Sequence, residues 1–99
     1  MTKRTKALAI SKTVREAVMA RDGGICVICG RPGDPCAHYV SRAQGGLGIE
    51  ENIVTLCYGC HMLYDQTVHR IYLRVAIADY LREQYENWDD VRLTYRKEL

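Results

Sequence analysis

Two Cys-x-x-Cys pairs, Cys26-Val27-Ile28-Cys29 and Cys57-Tyr58-Gly59-Cys60, constrain this chain more than any other feature. Two-residue spacing lets both sulfurs of a pair reach one ion at about 2.3 Å, and two pairs complete a closed tetrahedral site. Disulfides or a redox Cys-x-x-Cys are the alternatives. The N-terminus reads Met-Thr-Lys-Arg with no apolar run behind it. No stretch approaches the roughly 20 apolar residues of a membrane span. Both points predict a cytoplasmic protein, where paired Cys-x-x-Cys motifs favour metal over disulfides. Zinc is the expected ion, tying the segment before a central hairpin to the helix after it. A chain of 99 residues has a modest core, so a metal staple suits it. The fifth cysteine, Cys36, reads as a small buried hydrophobe, with an unusual ligand or a thiol near the site as the alternative.

The net charge of +2 says less than its distribution. Lys3, Arg4, Lys6, Lys12, Arg15 and Arg21 crowd the first segment, and Glu16 is the only acid before Asp22. Such an arm suits nucleic-acid phosphates. The alternative is a solvated helix face with a disordered start.

Periodicity predicts a helix over 11–21, with Val14, Ala17, Val18 and Arg21 on one face, Ser11 or Thr13 as cap and Asp22-Gly23-Gly24 as stop. A knuckle follows at 26–30, then a short strand over 37–41 and a glycine loop. The β-branched run Ile53-Val54-Thr55-Leu56 predicts the returning strand. A helix begins at the second knuckle and reaches about Asp65, and a longer one covers 68–87. On the latter, Leu73, Ile77, Tyr80, Leu81 and Trp88 form one apolar stripe, and Ile71, Tyr72 and Val75 lie on another side. That helix is either buried on two sides or offers a partner surface. The tail, 89–99, alternates Val91, Leu93 and Tyr95 as an extended segment does. His69 reads as solvated. The whole is an α+β domain in three parts: a basic arm and helix (1–21), a knuckle-flanked core (22–66), and a helix and tail packing on it (67–99).

Between the knuckles stand His38 on a strand, a glycine loop through Gly45, Gly46 and Gly48, Asn52, a second strand, and His61 opening a helix. A neutral imidazole suits proton abstraction at physiological pH, which fits His38. His61 is a metal-ligand type, and Asp65, four residues on, shares its helix face. Arg42, after the first strand, can bind a phosphate.

This segment resembles the HNH nucleases, which have a ββα-metal fold. It is most similar to small phage-type members, through Gly45-Gly46-Leu47-Gly48-Ile49-Glu50-Glu51-Asn52-Ile53-Val54-Thr55-Leu56-Cys57. The tail pattern Tyr80-Leu81, Tyr85, Trp88 and Leu93-Thr94-Tyr95-Arg96-Lys97 is similar too. The resemblance implies a metal-dependent endonuclease acting on DNA. His38 would be its general base, Asn52 the residue pinning the loop, and His61 with Asp65 the ligands of magnesium or manganese, with nickel or zinc also tolerated. It implies DNA as partner, a second copy of the chain or phage packaging proteins as further ones, and a bacterial host cell as location. The usual ligand position before the base is Ala37, which cannot ligate; its side chain is expected near the ion. Two rivals stay open: a DNA-binding module without catalysis, and a zinc-stabilised assembly factor.

Overall fold

The computed structural model describes residues 2–96; the last three positions of the tail, including Lys97, lie outside them. The first six-residue stretch is helical, α1 (Lys3–Leu8), and not an unstructured arm. So short a helix does not persist alone. It is held at both ends: the Thr2 hydroxyl accepts from the Thr5 amide, and Leu8 is buried. Gly48 lets it dock. Its amide donates to the Ala7 carbonyl at 3.0 Å, and a Cβ at Gly48 would overlap the Ala9 carbonyl oxygen.

Helix α2 (Lys12–Asp22) is capped by Ser11, whose hydroxyl accepts from Val14, and ends at Gly23 in the left-handed region at φ 68°. Strands β1 (Asp34–His38) and β2 (Ile53–Leu56) form an antiparallel pair, with Ala37 opposite Val54 and His38 opposite Ile53, and a bulge between Asp34 and Ala37. Strand β1 therefore starts and ends three residues before the 37–41 expected from sequence. Beyond His38 the side chain of buried Asn52 replaces a strand partner. It accepts from the Val40 amide at 2.8 Å and donates to the carbonyls of Val40 and Leu47.

Helix α3 (Tyr58–Gln66) follows β2 directly, and α4 (Arg70–Gln84) completes the set. Helix α4 is shorter than the 68–87 expected. Its apolar stripe packs with Ile77 and Leu81 in a core shared with Tyr39, Val54, Leu56 and Tyr64 and with Leu73 and Tyr80 against it, while Trp88 packs there from beyond the helix end. The second stripe is not buried: Ile71, Tyr72 and Val75 are 69%, 75% and 60% exposed. The tail alternation misleads. Asp90–Leu93 is a 3-10 turn, capped by Asp89 and anchored by buried Leu93. Among the described residues no helix is long and apolar enough to cross a membrane.

Arg21, grouped above with the basic first segment, is an internal brace. It donates to both oxygens of Asp22, to the Tyr85 hydroxyl, and to the Glu50 and Ile53 carbonyls at 2.8 and 2.7 Å. Asp22 also accepts from the Thr55 amide and the Tyr80 hydroxyl. Asp22→Ala is expected to cost about 3–5 kcal/mol in urea unfolding, because it leaves a half-buried guanidinium unpaired. Burial alone would raise the Asp22 carboxyl, but hydrogen bonds from Arg21 and Tyr80 and the Arg21 charge outweigh it and hold it below its ordinary 3.8. The stabilisation is therefore complete above that value and fades as pH falls through the lower folded one.

Candidate metal centre and cleft

The first knuckle folds because the Gly30 amide turns back to the Cys26 carbonyl at 3.0 Å and the Cys26 amide reaches Arg31 at 2.7 Å. The second is the start of α3 itself: Cys57 is its cap, and its sulfur accepts from the Cys60 amide. These two local geometries converge. All four sulfurs of Cys26, Cys29, Cys57 and Cys60 lie within 4.8 Å of one another, and Cys29 and Cys57 are 3.5 Å apart. A tetrahedral ion with metal–sulfur bonds near 2.3 Å needs sulfurs about 3.8 Å apart, so the cluster can hold a metal such as zinc. All five cysteines are free thiols. Burial would raise Cys26, but backbone amides around Cys29, Cys57 and Ile28 outweigh it and bring it to about 7. Cys60 is pushed far up by burial and by the neighbouring sulfurs. Thiols this close resist ionising together without a cation between them.

A separate cleft of about 750 Å³ opens beside the hairpin. His38 and Cys36 reach it from β1, His61 and Asp65 from α3, and Arg42 from the turn after β1. The pleat of β1 decides this. Cys36 and His38 alternate with Pro35 and Ala37, which are buried on the opposite face. Ala37 is 1% exposed within the core, which overturns the expectation that its side chain lies near an ion. An aspartate there would bury a carboxylate among apolar groups instead of supplying a ligand.

His38 is half-buried, and its Nε2 lies 2.9 Å from the Leu8 carbonyl. A carbonyl only accepts, so Nε2 carries the proton and the neutral ring keeps its lone pair on Nδ1. Burial lowers its pKa. The Leu8 carbonyl and Asp65 act against this, Arg42 and His61 with it, and the net shift is downward. His61 and Asp65 sit one turn apart on α3, with Nε2 and Oδ2 3.0 Å from each other. Among the described residues no third His, Cys, Asp or Glu joins them as a preformed set. Two donors of this kind fit a cation that fills its remaining positions with water and phosphate oxygen.

The chain matches no family model and no curated protein.

Of the phosphate-binding residues expected from sequence, Arg42 lines the cleft, whereas Lys3, Lys6 and Lys12 are exposed and not among its lining residues. Arg4 reaches it indirectly, donating to the Arg42 carbonyl at 3.4 Å. His69 is exposed at the start of α4, as expected. Cys36 is half-buried on the cleft wall, not fully buried, with its thiol pushed up by burial and by Asp34. Arg15, one of the cations of the basic first segment, lines the cleft as well, whereas Arg70 stands outside every motif and carries no signal of this role in the sequence.

Proposed function

We propose that the chain is a metal-dependent nuclease of the HNH type, hydrolysing phosphodiester bonds of nucleic acid, DNA above all. We propose also that Cys26, Cys29, Cys57 and Cys60 hold a structural zinc. The observation that carries the first reading is one cleft that joins a neutral imidazole, His38, to the His61–Asp65 pair. Nδ1 of His38 takes the proton of the attacking water as general base. The Leu8 carbonyl fixes the tautomer that leaves that nitrogen free. His61 and Asp65 hold the divalent ion. Magnesium or manganese, when bound, neutralises charge on the phosphate and the leaving 3′-oxygen; an imidazole donor also admits nickel or zinc. Asn52 acts through the backbone, holding Val40 and Leu47 so that the loop after His38 keeps its shape. The zinc holds the start of α3, and His61 follows Cys60 directly, so its direction is set by the cluster.

Incubation of supercoiled plasmid with the protein is expected to give nicked or linear DNA only when magnesium or manganese is added. His61→Ala is expected to need far more metal for the same rate. No conversion with magnesium, manganese or nickel overturns the nuclease reading, and tight DNA binding without cleavage assigns the chain to binding alone.

A further inference from the structure

The cleft holds more positive charge than proton transfer and metal binding use. Three arginines line it, Arg15 from α2, Arg42 and Arg70 from α4, against one carboxylate, Asp65. Asp65 is already paired with His61. Among the described residues none of the three arginines forms an ion pair. Unpaired guanidiniums converging on one cleft attract a polyanion.

Arg70 stands apart because it is held in place. Its guanidinium lies 4.4 Å over the centre of the Tyr64 ring, and one nitrogen donates to the Tyr64 carbonyl at 3.2 Å. Tyr64 is itself fixed: it is 1% exposed, and its hydroxyl donates to the Tyr39 carbonyl at 2.6 Å. Stacking and one hydrogen bond leave most of the five N–H donors unused. A pre-set planar fork of this kind matches two phosphate oxygens at little ordering cost. Arg15 reaches the same cleft from α2, near enough to Cys36 for its charge to act on that thiol.

We propose that Arg70, stacked on Tyr64, and Arg15 form a phosphate clamp in the cleft that holds the DNA backbone beside the bond to be cut. The clamp rests on the nuclease reading for its purpose but not for its test. Arg70 and Arg15 are positioning residues and take no part in the proton transfer.

The test measures binding of a short fluorescent DNA duplex without added magnesium or manganese, over a range of salt. Each phosphate contact contributes about 0.9 to the slope of log K against log salt. Arg70→Gln and Arg15→Gln are each expected to reduce the slope by about one and affinity by about tenfold, and the double variant the slope by about two. Arg82→Gln, about 18 Å further along α4, is expected to change neither. Arg70→Lys keeps the charge but not the fork or the stack. It is expected to keep the slope while raising KM for plasmid cleavage with kcat little altered, a split that a merely structural role would not give. Slopes equal to the parent's in folded Arg15→Gln and Arg70→Gln overturn the clamp, as does a parent that binds no DNA. Cleavage that survives with those parental slopes leaves the nuclease reading standing. Reduced slopes in a protein that cuts nothing leave the clamp standing and remove the nuclease.

Discussion

Withdrawal of zinc by a strong chelator, or Cys60→Ser, is expected to unfold the protein. The four sulfurs join the knuckle after α2 to the first turn of α3. Cys26 and Cys60 are themselves core residues, 2% and 8% exposed. Binding of a structural zinc by such a set supplies folding energy on the order of 10 kcal/mol. That rivals the entire net stability of about 5–15 kcal/mol typical of a folded domain. The expected findings are about one zinc per chain by elemental analysis, and loss of helical circular dichroism and of a cooperative melt after chelation, restored by zinc. Activity should disappear with the fold, because His61 is carried on the helix that the cluster anchors. A stripped protein that keeps its spectrum and melting temperature would remove zinc from the fold.

The second large effect falls on His38. Loss of a general base costs roughly 10²–10⁴ in rate, and His38→Ala is expected to lose that much cleavage. The ring also bonds the Leu8 carbonyl, so alanine should lower stability by about 1 kcal/mol as well. Glutamine separates the two roles. Its amide can donate to Leu8 but cannot act as a base near neutral pH, so His38→Gln should melt closer to the parent and still fail to cleave. Parental cleavage rates in His38→Gln would remove His38 from proton transfer and leave it the smaller task of tying α1 to the hairpin.

What the sequence determined by itself was local. The knuckles were legible because two-residue spacing is a property of neighbouring residues, and their convergence needed only that both pairs serve one ion. The cap at Ser11, the stop at Gly23 and the span of β2 were legible for the same reason. The helical pairing of His61 with Asp65 followed from the turn of α3 alone.

The tertiary structure decided whatever depends on contacts between distant segments. The register of β1 hangs on Val54 and on the side chain of Asn52, and register sends Ala37 to the core and Cys36 to the cleft. A one-residue change of phase reverses every side chain of a strand, so no reading of 34–41 in isolation could fix which face carries chemistry. Helix α1 is too short to stand on propensity and exists because Leu8 is buried and Gly48 leaves room for its end. The tail turns instead of extending because Leu93 is drawn into the core. Charge, finally, is written in the sequence, but its surroundings are not. Arg21 is a brace and Arg70 faces a cleft, since Asp22, Tyr85 and Glu50 enclose the first and Tyr64 supports the second. Tyr85 and Glu50 come to Arg21 from remote parts of the chain, and the turn between α3 and α4 sets Arg70 against Tyr64; only the folded packing brings such partners together.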